Sequence, residues 1–273
     1  MGKIAFRDAV RSSFVGPLIR DHVIIPFRRH QRQAQAKSLT QTDPSKFTCP
    51  VCSYNGIFVH HRHGTKIVRQ YALCPACGAA ERHRLQANVL QNILPPFAAK
   101  SKSALHFAPE KFFVDTLRNS FGAYKTSDLF RRDVNIKADI TNLPIPDCSY
   151  DLIYASHVLE HVPNDRRAIE ELYRILKPGG MAILPVPIHS TGNRSSADTK
   201  EYEQPNMQED GHVRAPGLDY FDRYRAIFKD VEIFSSDQFS NLPHDNQLYI
   251  RPPSAYSPTN YDSIPEYVPV CRK

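Results

Sequence analysis

Four cysteines stand in two matched pairs, Cys49-Pro50-Val51-Cys52 and Cys74-Pro75-Ala76-Cys77-Gly78, with 21 residues between them. Two such pairs supply the four thiolates of a tetrahedral Zn²⁺ site. The proline and the small residue after each pair let backbone N–H groups turn toward the sulfurs; Gly78 suits this turn, and Ser53 is its weaker counterpart. Four cysteines close the coordination shell, which makes the ion structural. A redox C-x-x-C or four unpaired thiols are the rival readings, and matched pairs disfavour both. Apolar stretches at 56–59 and 67–71 predict a hairpin around His60-His61-Arg62-His63-Gly64. Its histidines read as exposed, since the cysteines already fill a site.

The elements that position the remaining polar groups read as an alternating α/β pattern. Residues 150–155 are an apolar run ending at Ser156 and His157, which suits a buried strand. Asn164 or Asp165 caps a helix whose Ala168, Ile169, Leu172, Ile175 and Leu176 share one face. Pro178-Gly179-Gly180 stops it, and 181–186 is a second strand. The result is a right-handed parallel βαβ unit. Upstream, strands are expected at 103–107, 124–127 and 134–138, with a helix at 111–121. A helix from Ala79 to Leu94 ends before Pro95-Pro96; its Glu81, Arg82, His83 and Arg84 either face a cleft or, preferably, solvate a helix face. Downstream come a helix at 220–228 and strands at 231–235 and 247–251, making seven strands. The Pro/Ser/Tyr-rich tail from Pro252 reads as irregular.

The residues Y-D-L-I-Y-A-S-H-V-L-E-H-V followed by E-L-Y-R-I-L-K-P-G-G resemble the second half of the class I S-adenosylmethionine-dependent methyltransferases, of the type 11 kind. The resemblance implies a Rossmann-like, doubly wound seven-stranded sheet with the last strand antiparallel, preceded here by a small zinc ribbon. It implies S-adenosyl-L-methionine as cofactor, held by Phe107, Ala108, Pro109, Glu110, Asp128, Asp139, Ile140, Ser156 and His157. Glu110 would accept from the methionyl amino group, Asp128 from the ribose hydroxyls, and Asp139 from the adenine amine, while Ser156 and His157 flank the methionine. One departure stands out: the family's G-x-G-x-G turn is replaced by Ala108-Pro109-Glu110, although L-H-x-A-P-E resembles a subfamily carrying an N-terminal Cys₄ module. His157 and His212 are the candidate general bases, and Arg214 is a candidate bidentate holder of an anionic substrate. His189 joins them on the polar stretch 188–218, which reads as a substrate loop or a solvated one.

Hydrophobic residues make up 41%, enough for a core, and the net charge is +7. Residues 1–37 carry +6 of it, so the body is near neutral. The expected organisation is a basic arm and linker (1–45), the ribbon with its connecting helix (46–95) and the methyltransferase domain (100–273). The arm either packs on its own domain or lies on an anionic membrane surface or phosphate backbone, with packing preferred. No stretch approaches the roughly 20 apolar residues that span a bilayer. With no secretory pattern and metal-like cysteines, a cytoplasmic location is expected. The acceptor is expected to be an oxygen or nitrogen of a small molecule or saccharide. The alternatives are RNA, bound with help from the ribbon, or a non-catalytic methyltransferase-like scaffold.

Overall fold

The computed structural model describes residues 24–43, 46–63, 66–191, 194–239 and 265–273. The expectations for residues 1–23, for a strand at 247–251 and for the stretch 252–264 lie outside them. Helix α1, Ile25–Thr40, opens the described chain. Its Ala36 and Leu39 pack on Ile57 and Val59 of the cysteine module, so this part of the basic segment is seated on its own protein.

The module is built from strands β1 (Phe47–Thr48), β2 (Asn55–Gly56), β3 (Val59–His63) and β4 (Lys66–Leu73), paired as two antiparallel ribbons. The hairpin is longer than its predicted strands. His60 and His61 lie within β3 and are only partly exposed, and His60 Nδ1 accepts the Tyr71 N–H at 3.1 Å. They are therefore strand residues, not free turn residues.

Helix α2, Glu81–Phe97, runs through Pro95 and Pro96 instead of stopping before them. Prolines in a final turn forfeit few helical hydrogen bonds, and Phe97 packs beneath the helix with Lys102 Nζ 3.6 Å from its ring centre. Leu85, Val89, Leu90 and Leu94 of α2 pack with Phe113, Leu117, Leu152, Tyr154 and Val270. The helix thus covers one face of the main sheet, and is more than a tether.

That sheet comprises β5 (Ser103–Phe107), β6 (Ala123–Asp128), β7 (Ile136–Lys137), β8 (Tyr150–Ala155), β9 (Leu176–Ile183), β14 (Asp230–Ser235) and β15 (Tyr267–Arg272), interleaved with α3 (Lys111–Ser120), α4 (Asp165–Ile175) and α5 (Tyr220–Arg225). Its order is β14-β15-β9-β8-β5-β6-β7. Strands β5 to β9 run parallel, and β15 is antiparallel to both its neighbours. This is the expected doubly wound, seven-stranded arrangement. Its seventh strand, however, is Tyr267–Arg272, taken from the tail that composition marked as irregular. Val268, Pro269, Val270 and Cys271 are buried there. Helix α4 also ends earlier than expected. Asn164 Oδ1 caps it by accepting the Arg167 N–H, but Leu176 is already extended, three residues ahead of Gly179. A residue preceding proline disfavours the helical conformation, which releases Lys177 into the strand.

The described residues between 190 and 215 are not an open loop. They form two small hairpins, β10 (Ser190–Thr191) with β11 (Arg194–Ser195) and β12 (Lys200–Asn206) with β13 (His212–Ala215). Among the described residues no helix is long and apolar enough to cross a membrane.

Candidate functional site

Strands β8, β5, β6 and β7 end side by side, and the winding direction reverses between β5 and β8. Such a reversal opens a crevice at the carboxyl ends of the strands. Phe107 through Glu110, Asp128, Asp139-Ile140 and Ser156-His157 all leave the sheet along this edge.

Ala108 has φ of +44°, the left-handed region that glycine normally supplies, and its N–H is held by the Ser127 carbonyl at 2.9 Å. The alanine therefore makes the sharp turn that a glycine would make. His106 supports the turn from below. Burial lowers its pKa to about 4, so it is neutral. Its Nε2 accepts the Glu110 N–H at 3.3 Å, which puts the proton on Nδ1, 2.9 Å from the Tyr124 hydroxyl. Arg131 holds the turn from the other side by donating to the Pro109 carbonyl at 2.9 Å.

Glu110 receives help from an unexpected element. His83, on α2, accepts the Ala80 N–H on Nδ1 at 3.0 Å, and its Nε2 lies 3.3 Å from Glu110 Oε1. Burial pushes His83 down, consistent with a neutral ring donating from Nε2. Burial alone would raise the Glu110 carboxyl, but this hydrogen bond, with His157 and Arg82 nearby, outweighs it and holds the group below its ordinary range. Glu110 Oε2 is closed off from solvent and has no partner among the described residues. Asp128 spends Oδ1 on the N–H groups of Phe130 and Arg131, and Asp139 spends Oδ1 on the N–H and hydroxyl of Thr141. In each case the second oxygen stays available. Ile140 is buried in the core beneath them.

At the end of β8, the Ser156 hydroxyl both accepts from and donates to the side-chain amide of Gln86, which also takes the Tyr154 hydroxyl. Ser156 therefore offers the crevice its backbone, while its hydroxyl is turned to α2. His157 has φ of +53° and points Nδ1 at Glu160 Oε1, 3.3 Å away. The expectation that residues 81–84 merely solvate a helix face does not hold: Glu81, His83 and Arg84 are all buried. Arg84 donates to the carbonyls of Ala72 and Ala79 and lies over the Phe58 ring, tying α2 to the cysteine module.

Arg214 is also corrected. It is buried, donating to the carbonyls of Leu159, Val162 and Pro163 and to Glu201, so its guanidinium is spent inside the protein. His212 is partly exposed at the start of β13, and its ring meets that of His161 edge-on at 4.7 Å. The His189 N–H and carbonyl are tied to Pro216 and Ser196.

The cysteines converge as their spacing implies. Cys49 and Cys77 sulfurs are 3.8 Å apart, those of Cys52 and Cys74 3.6 Å, and all four lie within 4.8 Å. Sulfurs about 2.3 Å from a tetrahedral zinc stand about 3.8 Å from one another, so the set fits that ion. Ser53 and Gly78 both take positive φ, and the Ala79 N–H points at the Cys77 sulfur.

Gln86 went unread in the sequence, His83 was placed on a solvated face in preference to a cleft, and His106 was seen only as the histidine of L-H-x-A-P-E.

Residues 103–184 match the methyltransferase domain family. The fold is the class I methyltransferase fold. A demethylmenaquinone methyltransferase of Paenarthrobacter aurescens is 33% identical over 101 residues, 37% of this chain and 40% of that protein. A chloroplastic 2-methyl-6-phytyl-1,4-hydroquinone methyltransferase of Oryza sativa is 39% identical over 56 residues, 20% and 17% of the two chains. The chain thus spans well under half the length of these relatives. Among solved structures, a complex of the Haloferax volcanii Trm112 methyltransferase activator with a methyltransferase aligns at 19% identity and a TM-score of 0.47, covering 70% of this chain and 90% of that one. A methyltransferase of Mesorhizobium loti aligns at 16% and 0.46, covering 69% and 98%.

Proposed function

We propose that this protein is an S-adenosylmethionine-dependent methyltransferase acting on an oxygen or nitrogen of a small-molecule or saccharide-type acceptor, with a structural zinc in its Cys49, Cys52, Cys74 and Cys77 module. One observation carries the cofactor reading. Glu110 Oε2 is a buried, ionised oxygen without a partner among the described residues, beside a left-handed turn at a strand end. Such an atom calls for a cationic donor from a ligand, and the α-ammonium of the cofactor's methionine is one. Asp128 and Asp139 each keep an oxygen for the ribose hydroxyls and the adenine amine. The left-handed turn at Ala108 removes the main ground for a non-catalytic scaffold.

When bound, the cofactor supplies a methyl group on a positively charged sulfur. The chain's task is alignment, exclusion of water and handling of one proton. His157 is the base: Glu160 orients Nδ1, leaving Nε2 for the acceptor's proton. The cofactor would supply the methyl group to the acceptor's lone pair, and the chain's part would be to take up the acceptor's proton at His157 Nε2. A second reading, RNA as acceptor, draws on the exposed Arg28, Arg29 and Lys37 of α1. It requires binding that falls steeply with salt.

The test is calorimetry with S-adenosylhomocysteine. Wild type should bind, and Glu110→Gln should bind about 10- to 100-fold more weakly, the worth of a charged hydrogen bond. No binding at millimolar concentration rejects the proposal. Metal analysis should find about one zinc held by the cysteines, and freely titratable thiols in the native protein would reject that part.

A further inference from the structure

We propose that Glu160, His161 and His212 form a second metal site, on the acceptor side of the crevice, for a first-row transition-metal dication such as Zn²⁺. Glu160 and His161 lie on the single 3-10 turn that follows β8, Leu159–His161. His212 opens β13, which packs on that turn. One donor atom from each residue lies within 4.8 Å of the other two. Ligands about 2.1 Å from a tetrahedral ion stand about 3.4 Å apart, so side-chain rotation of up to about 1.4 Å closes the set.

The surroundings are those of a built site. Glu160 is fully buried, and neither carboxylate oxygen has a hydrogen-bond partner of good geometry among the described residues, Oε1 standing 3.3 Å from His157 Nδ1. A buried carboxylate this poorly partnered is costly unless a cation compensates it. The His161 and His212 rings meet edge-on, at 82°, and so converge without stacking. His161 is exposed, which gives an ion a way in. Glu209 Oε2, which accepts the Tyr202 hydroxyl, stands 3.8 Å from His212 Nδ1 and adds negative charge beside the ring. Arg214 acquires a purpose here. Its bonds to the Leu159, Val162 and Pro163 carbonyls clamp the turn carrying Glu160 and His161 against the strand carrying His212.

Two imidazoles and one carboxylate favour a transition metal over Mg²⁺ or Ca²⁺, which prefer oxygen sets. Three protein ligands leave a position open, unlike the closed cysteine site. An acceptor hydroxyl bound there would lose its proton more readily, beside His157. That role rests on the methyl-transfer reading; metal binding itself does not.

The test adds Co²⁺ to the full chain as purified and follows its visible spectrum. Cobalt on nitrogen and oxygen ligands absorbs weakly and without thiolate charge-transfer bands, which separates this site from the cysteines. Wild type should take one equivalent with that signature. His212→Ala, His161→Ala and Glu160→Gln should each weaken it by at least about ten-fold, with the cysteine-bound metal unchanged by elemental analysis. Because Glu160→Gln can perturb folding, the two histidine variants, whose side chains are less buried, decide the outcome. Absence of the nitrogen–oxygen signature in wild type, or its survival in both histidine variants, overturns the proposal. If Co²⁺ binds as expected but S-adenosylhomocysteine does not, the site stands and its role in methyl transfer falls.

Discussion

Replacing Ala108 by glycine is expected to stabilise the protein slightly and leave cofactor affinity intact. Ala108 sits at φ of +44°, where an L-residue with a Cβ costs about 1–2 kcal/mol. Glycine removes that cost but returns about 0.4–1 kcal/mol through the greater freedom of its unfolded chain. Ala108 is partly exposed, so loss of its methyl group sacrifices little packing. The net gain is about 0.5–1 kcal/mol, a rise in Tm of about 1–3 °C for a chain of this size. Ala108→Val works in the opposite sense, because a β-branched residue is poorly accommodated in the left-handed region. A loss of about 2 kcal/mol or more is expected. Urea denaturation of the three proteins measures the stabilities, and calorimetry with S-adenosylhomocysteine measures the site. If Ala108→Gly destabilises by more than about 1 kcal/mol, the alanine methyl is a packing element and does not merely stand in for glycine.

Two other perturbations bear on the scaffold around the site. Arg84→Met should destabilise by about 2–4 kcal/mol in denaturant, because the carbonyls of Ala72 and Ala79 lose a shared buried donor; no measurable change would show that α2 is not anchored through this guanidinium. Arg174, with the Leu143 N–H and Arg167, holds the Glu171 carboxyl at about 2 against an ordinary 4.5. The stability this adds, on the order of 3 kcal/mol, is fully present above pH 4.5 and is lost as pH falls from there toward 2. The difference between wild type and Glu171→Gln at pH 7 should therefore shrink markedly by pH 2.5, and a pH-independent difference would contradict the linkage.

The centre of the sheet was legible because strands buried on both faces, such as β5 and β8, read as apolar runs. Residues 150–155 and the helix face of Ala168, Ile169, Leu172 and Ile175 carry their periodicity plainly, and every one of those four helix residues is buried. The last strand was not legible. Tyr267–Arg272 contains a proline and follows a Pro/Ser/Tyr-rich stretch, and only its pairing with β9 and β14 makes it a strand. Long-range pairing of this kind leaves no local signature. The polar stretch after β9 hid its hairpins for the same reason, and with them the burial of Arg214. The cysteine spacing named its own geometry, since two C-x-x-C pairs bring all four sulfurs within 4.8 Å of one another. Helix α2 misled because its first turn is charged, and charged residues at a helix start are usually solvated. Here three of its four residues find partners that sequence distance conceals: Glu81 pairs with Arg69, His83 with Glu110, and Arg84 with two carbonyls.

These partners explain why the cysteine module and the sheet are joined where they are. The second cysteine turn is closed by the Cys74 N–H bonding the Ala79 carbonyl, and Ala80 immediately caps α2. Within the next six residues the helix sends His83 to Glu110, Arg84 back to the module, and Gln86 to Ser156 and Tyr154. One rigid turn thus positions side chains against the ends of both β5 and β8, the two strands that flank the reversal of the sheet. An ion that fixes Cys74 and Cys77 also fixes the start of this helix, and through it the orientation of Glu110. On the proposed zinc site, the module would bear on the crevice by holding α2 in register, since four cysteines leave no open coordination position.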